Sequence, residues 1–60
     1  MKFLRIPDVI KKTGLARSTI WMMCKEGRFP IPIKISERVT VWDNDLIEEW
    51  MKEVCSENQL

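Results

Sequence analysis

Four side chains between residues 17 and 25 have the chemistry needed to read DNA. In a helix, where successive residues turn by about 100°, Arg17, Ser18, Trp21 and Lys25 fall on the side opposite Ile20. An arginine can pair with guanine through two hydrogen bonds, a serine hydroxyl suits a phosphate or a base edge, and a lysine suits phosphate. The spacing therefore predicts one helix with an apolar face and an outer face that has the chemistry of a DNA-reading surface.

A shorter helix is predicted just before this one. Pro7 suits the first helical position, Asp8 suits the positive end of the helix dipole, and Gly14 can adopt the left-handed conformation that ends a helix. The second helix is expected to cover residues 16–26, with Gly27 as its terminator. Its inward side is formed by Ala16, Ile20 and Met23. Two helices joined through a short turn that contains glycine outline a helix-turn-helix.

A β-hairpin is predicted after the second helix. Pro30 and Pro32 exclude a helix in this segment, and apolar and polar residues alternate from residue 33 onward. The turn is expected near residues 36–38, and the apolar face should pack on the helices, because an isolated hairpin is unstable. The apolar positions of the hairpin are Ile33, Ile35, Val39 and Val41.

Residues 43–54 are expected to form a third helix. Asp43 or Asn44 is the predicted N-cap, and the acidic residues of the first turns complement the helix dipole. Residues 56–60 are expected to form a frayed tail. Apolar residues recur at helical spacing, at Leu46, Ile47, Trp50 and Val54. Three aromatic residues are assigned to the packed interior or its connections: Phe29, Trp42 and Trp50.

These elements predict a small α+β domain that is mainly helical, built from a helix-turn-helix, a two-stranded β-hairpin wing and a C-terminal helix. Sixty residues form a single domain, 1–60, and bury only about 60% of the surface that the unfolded chain exposes. Such a domain has little room for an enclosed active site.

The charges are unevenly distributed along the chain. Residues 1–42 carry nine lysines and arginines against three acids, whereas residues 43–60 carry one lysine against six acids. A chain with this polarity can present a basic face to a polyanion while its acidic part lies elsewhere.

Several other functions are disfavoured by the composition. The chain has no histidine, and Cys24 and Cys55 are widely spaced, so we expect reduced thiols that behave as small hydrophobic side chains and no metal site. No catalytic constellation or cofactor motif is present, which predicts that the protein is not an enzyme. No apolar run approaches the roughly 20 residues of a membrane span, and no signal peptide is recognisable, so we expect a cytoplasmic, nucleoid-associated protein.

The chain resembles the small prophage regulators of the AlpA type, which are related to the DNA-binding domains of excisionases and to MerR-like winged helices. The resemblance covers residues 6–50 and is carried by the runs TGL (13–15), RSTI (17–20) and GRFP (27–30), together with Pro32, Lys34, Arg38, Trp42 and Trp50. It implies that the second helix enters the major groove of double-stranded DNA and that the hairpin lies along the backbone or minor groove.

The resemblance and the outer face of the second helix together define a set of candidate DNA-binding residues. They are Arg17, Ser18, Thr19, Trp21, Met22, Lys25, Arg28, Lys34 and Arg38. Two alternatives stay open within this set. Trp21 either contacts DNA or packs on the hairpin or the third helix, and Arg38 either contacts the backbone or pairs with Glu37. The chain also departs from the family pattern, notably with Ala16 in place of a helix-capping serine.

The leading hypothesis for function is a sequence-specific transcriptional regulator of a prophage or integrative element. One alternative keeps the fold: an excisionase-like factor that bends DNA and directs an integrase. The other is a protein-interaction adaptor that uses the acidic C-terminal helix. A homodimer or a cooperative assembly on DNA is expected, since a single small module buries only about 600–1,000 Å² against DNA. An integrase and the transcription machinery are further candidate partners.

Overall fold

The computed structural model describes residues 2–58 and contains three helices and a three-stranded antiparallel sheet in the order β1-β3-β2. This architecture confirms the α+β winged helix-turn-helix. The elements are β1 (Phe3–Leu4), α1 (Ile6–Thr13), α2 (Arg17–Lys25), β2 (Ile33–Ser36), β3 (Val39–Asp43) and α3 (Asn44–Asn58). The hairpin formed by β2 and β3 is called the wing below.

Both glycines end helices, as predicted. Gly14 has φ 76° at the end of α1, and Gly27 has φ 74° just after α2, in the left-handed region that glycine adopts without a steric penalty. After α2, the amide of Gly27 donates to the carbonyl of Cys24 at 3.2 Å, and the amide of Arg28 donates to that of Met23 at 2.9 Å. These two bonds pair carbonyls that the end of a helix leaves without intrahelical partners.

The start of α2 differs from the prediction. Ala16 has extended φ and ψ angles, caps the helix without a side-chain hydrogen bond and is exposed, so its assignment to the inward side is wrong. The preceding turn is held instead by Thr13. Its hydroxyl donates to the carbonyl of Val9 at 2.8 Å and accepts the amide of Leu15 at 3.3 Å.

The strand β1 was not predicted from the sequence. It pairs with β3, with Leu4 opposite Trp42 and Phe3 opposite Asp43, and the amide of Asn44 donates to the carbonyl of Lys2 at 2.8 Å. Two residues are too few to produce a periodic pattern, which is why the strand escaped sequence reasoning. Its presence makes β3 the central strand of the sheet.

The outer strand of the wing is more exposed than its alternating pattern indicated. Ile33 and Ile35 both lie on the surface, with Ile35 55% exposed, so the prediction that they pack on the helices is wrong. Between Lys34 and Ser36 the register with β3 shifts, which marks a β-bulge. The turn itself lies between the strands at residues 37–38, as expected.

A single cluster of apolar side chains forms the core. The indole of Trp42 and the side chain of Ile47 are fully buried in it, Phe29 is buried, and Trp50 packs against the cluster from its edge. Trp50 also donates its Nε1–H to the carbonyl of Arg28 at 2.9 Å. The buried members of the cluster are Leu4, Val9, Ile20, Phe29, Trp42 and Ile47. The predicted interior positions of Phe29 and Trp42 are therefore confirmed.

Helix α3 starts directly after β3. Asp43, the last residue of β3, accepts the amide of Asp45 at 2.9 Å and is the N-cap, one of the two residues predicted for that role. The helix continues through residues 56–58, beyond the predicted end at residue 54, and residues 59–60 of the expected frayed tail lie outside the described residues. Lys12 connects α1 to α3, with Nζ 2.7 Å from Asn44 Oδ1 and 3.5 Å from Glu48 Oε2.

The two faces of α2 predict opposite responses to truncation. Replacing the fully buried Ile20 with alanine leaves a cavity and should lower the free energy of unfolding by about 2–5 kcal/mol. Met22, two residues away and half exposed, provides the matched control, and Met22→Ala should change that free energy by less than about 0.5 kcal/mol. Urea denaturation followed by far-UV circular dichroism measures both. Equal losses in the two variants would contradict the orientation of α2.

Candidate nucleic-acid interface

The outer face of α2 consists of side chains that the core does not use. Arg17, Ser18 and Lys25 are exposed, together with Trp21 and Met22. Ile20, between them in sequence, is fully buried and orients the helix. Thr19 is half-buried at the boundary of the two faces. The structure thus brings six of the nine candidate residues onto one helix, five of them on its exposed face.

Trp21 packs on the hairpin, one of the two arrangements considered for it, and contact with DNA stays a prediction. Its ring packs on Trp42 of β3, with centroids 5.3 Å apart and planes inclined by 54°, yet 42% of the residue remains exposed. Tilted aromatic pairs at such distances add about 0.5–1.5 kcal/mol beyond the area that they bury. Trp21 therefore ties α2 to the wing and still presents part of its indole at the surface.

A groove of about 340 Å³ lies between the start of α1, helix α2 and the wing. Trp21, Trp42 and Thr40 provide three of its lining side chains, and Arg5 and Arg38 line it as well. Both arginines are exposed. This cavity, which Ile6 and Pro7 complete, is called the wing groove below. Two arginines therefore line a groove that adjoins the outer face of α2 at Trp21.

Arg5 is a candidate residue that the sequence analysis missed. It occupies the single position between β1 and α1 and acts as the N-cap residue of α1 without a side-chain capping bond. Its position next to the wing follows from the pairing of β1 with β3. Because that pairing left no periodic signal, only the charge of Arg5 was visible in the sequence.

The two cations of the wing are both exposed. Lys34 lies directly opposite Thr40, which lines the wing groove. Because cross-strand partners share a face of the sheet, Lys34 extends from the face that carries this groove. Arg38 lies in the turn. Within residues 2–58 it forms no ion pair with Glu37, so the structure does not contain the pairing considered as an alternative.

Arg28 is separated from the other candidates. Its guanidinium binds Glu26, with Nε 3.0 Å from Oε1 and Nη2 on the same oxygen. Its position after α2 places it on a different cavity, which runs beside α3 and is lined also by Glu49 and Glu53. The positive charge of Arg28 is therefore paired with a carboxylate, unlike the charges of the cations on α2 and the wing.

The cations near the wing groove have no carboxylate partners. In the described part of the chain, ion pairs join Lys12 to Glu48 and Arg28 to Glu26. None of them involves Arg5, Arg17, Lys25, Lys34 or Arg38. These five positive charges can therefore all act on an approaching polyanion.

The cysteines do not add a reactive group to this surface. Burial raises the pKa of the Cys24 thiol, and an interaction with the Trp42 indole opposes that rise only in part. The buried Nε1–H of Trp42 reaches no acceptor at hydrogen-bond distance among residues 2–58, so this interaction is weak and the thiol stays protonated at neutral pH. Cys55 is also a free thiol, but it is exposed and does not pack as a small hydrophobic side chain.

Within residues 2–58, no three His, Cys, Asp or Glu side chains lie close enough together to hold a metal ion. No helix in that range has both the length and the apolar character to cross a membrane.

Comparison with known proteins identifies the family. A family model described as prophage CP4-57 regulatory protein (AlpA) matches residues 2–55. The chain is 36% identical over 61 residues to the DNA-binding transcriptional activator AlpA of Escherichia coli K12, covering 92% of this chain and 87% of that protein. It is 34% identical over 50 residues to the uncharacterized protein ORF88 of Enterobacteria phage P4, covering 83% of this chain but only 57% of the phage protein. The chain therefore belongs to the AlpA family of prophage regulatory proteins.

Proposed function

We propose that this protein is a sequence-specific regulator that binds double-stranded DNA through the outer face of α2 and the wing groove. The observation that carries the proposal is the continuity of these two surfaces, which join through Trp21 and present five cations without carboxylate partners. Family membership and the Escherichia coli relative, a protein named as a DNA-binding transcriptional activator, support it. The role is binding, not catalysis.

In this proposal α2 enters the major groove with its N-terminal end foremost. Arg17 is the first residue of α2, and the first residues of a recognition helix are those that reach base edges. Arg17 would pair with a guanine and Ser18 with a neighbouring base edge or phosphate. Lys25, in the last turn, would contact the phosphate backbone.

The wing groove then supplies phosphate contacts that fix the register of α2. Arg5 and Arg38 line the same cavity, and Lys34 extends from the same face of the sheet. Contacts to phosphates position a protein on DNA, whereas contacts to bases specify the sequence. The exposed part of Trp21 lies between these two sets of contacts and would pack against a sugar of the backbone.

The salt dependence of binding tests the phosphate contacts. The four proposed phosphate contacts, of Arg5, Lys25, Lys34 and Arg38, predict that log K falls with log salt concentration with a slope between about −3 and −4. Arg5→Ala should reduce the steepness by about 1. Lys52→Ala removes an exposed positive charge from α3 and should leave the slope unchanged. Fluorescence anisotropy with labelled duplex DNA from 50 to about 300 mM salt measures all three. A flat response of the wild-type protein would exclude the electrostatic part of the proposal.

Base reading by Arg17 requires a different measurement. Sites selected from random duplexes provide a preferred sequence, and Arg17→Ala should weaken binding to it by about 1–3 kcal/mol and relax preference at one base pair. Binding to random DNA should weaken much less. Lys25→Ala, the control from the same helix, should weaken binding to both DNAs equally. If Arg17→Ala also did so, Arg17 would be a phosphate contact and not a reader of bases.

The footprint of the protein and the bend that it causes in DNA distinguish a promoter regulator from an excisionase-like factor. A promoter regulator should protect a limited site in a DNase footprint and cause little bending in a circular-permutation assay. Cooperative coverage of an attachment site with strong bending would instead favour the excisionase-like role. Since a single module of this size buries only about 600–1,000 Å² on DNA, we expect the footprint to contain two adjacent or repeated sites occupied by a dimer or a cooperative assembly.

A further inference from the structure

A second cavity, larger than the wing groove, runs along α3. It has a volume of about 840 Å³, within the range of about 300–1,000 Å³ that is typical of ligand-binding pockets. Helix α3 forms one wall and the segment 27–31 forms the other. This cavity, called the α3 groove below, shares no lining residue with the wing groove, so its occupation is compatible with the proposed DNA contacts there.

The floor of the α3 groove is aromatic and held in place. The rings of Phe29 and Trp50 pack with centroids 4.7 Å apart, and the Trp50 Nε1–H is bound to the carbonyl of Arg28. Two apolar side chains at its edges face solvent, with Ile31 80% exposed and Leu46 45% exposed. Exposed apolar side chains around a concave surface are a feature of protein interaction sites.

One edge of the α3 groove is acidic. Glu49, Glu53 and Glu57 recur every four residues along α3, all exposed, and all line the cavity. Arg28 is the cation that lines it within residues 2–58, and its guanidinium is already bound to Glu26 outside the cavity. The groove therefore offers apolar contacts beside a row of carboxylates that are about 6 Å apart along the helix axis.

The negative charge of this edge favours a basic partner over a second copy of this chain as the occupant of the groove. If two copies paired through the α3 groove with their α3 helices antiparallel, the two rows of glutamates would face each other, and like charges across an interface disfavour association. A partner with lysines or arginines beside an apolar stripe is complementary to both features. The distance from Glu49 to Glu57 corresponds to about 12 Å of helix, which matches two turns of a partner helix.

We propose that the α3 groove binds a basic amphipathic helix of another protein, in the manner of helices that place an apolar face in a groove. Apolar side chains spaced three or four residues apart would contact Trp50, Ile31 and Leu46. Flanking lysines and arginines would face Glu49, Glu53 and Glu57. The inference does not depend on DNA binding, because the residues that carry it are separate from α2 and the wing.

The probe for this proposal is a synthetic helical peptide of leucine and lysine with leucines at helical spacing. The controls are a peptide with glutamate in place of lysine and a scrambled peptide of the same composition. Fluorescence anisotropy of labelled peptide measures affinity. The leucine–lysine peptide should bind, whereas the two control peptides should bind at least about tenfold more weakly, a difference of about 1.4 kcal/mol.

Variants of the protein test whether the peptide binds in the α3 groove. Glu49→Gln with Glu53→Gln removes two of the proposed ion pairs with peptide lysines and should weaken peptide binding about three- to tenfold. Asp8→Asn with Glu37→Gln makes the same change in net charge elsewhere and should alter it by less than about twofold. Ile31→Ser should weaken binding about tenfold because an apolar contact is lost. These side chains are exposed, and equal urea midpoints confirm that each variant folds.

Three outcomes would overturn the proposal. One is failure of the leucine–lysine peptide to bind the wild-type protein. Another is equal weakening by the two charge-matched double variants, which would reduce the effect to net charge. The third is a dimer in sedimentation velocity that Ile31→Ser dissociates, which would assign the groove to a second copy of this chain.

Discussion

The burial of Trp42 is the constraint on which the rest of the structure depends. Trp42 lies in β3, the central strand, which contacts β1, β2, α1 and α3. Its indole is fully buried and packs against Trp21 of α2, so one side chain joins the sheet to the helix that carries the candidate DNA-binding residues. A domain of 60 residues has a small core, and Trp42 is the largest side chain that is fully buried within residues 2–58.

The basic and acidic parts of the sequence lie on different surfaces of the folded domain. Cations from three separate segments, represented by Arg5, Arg17 and Arg38, gather around the wing groove and the outer face of α2. The acids of α3 line a different groove. A net charge of +1 hides this arrangement, because each surface carries a charge of its own sign. The two proposed binding surfaces therefore carry charges of opposite sign.

The sequence predicted the parts of the fold that have strong local signals. Helix ends at Gly14 and Gly27, the cap at Asp43 and the inward side chain of Ile20 all follow from propensity and periodicity within a few residues. The errors concern features that depend on the rest of the molecule. The exposure of Ile35 follows from a bulge and from the position of β2 at the edge of the sheet, which alternation cannot reveal.

The candidate site was predicted less completely than the fold. The outer face of α2 could be read from angles along one helix, but Arg5 reaches the site through the two-residue strand β1. Arg28 lies on the α3 groove and is bound to Glu26. Helix α3, finally, begins at the residue after β3 ends, and the side chain of Asp43 caps it. With no linker between them, the direction in which β3 ends determines the direction in which the acidic helix leaves the sheet.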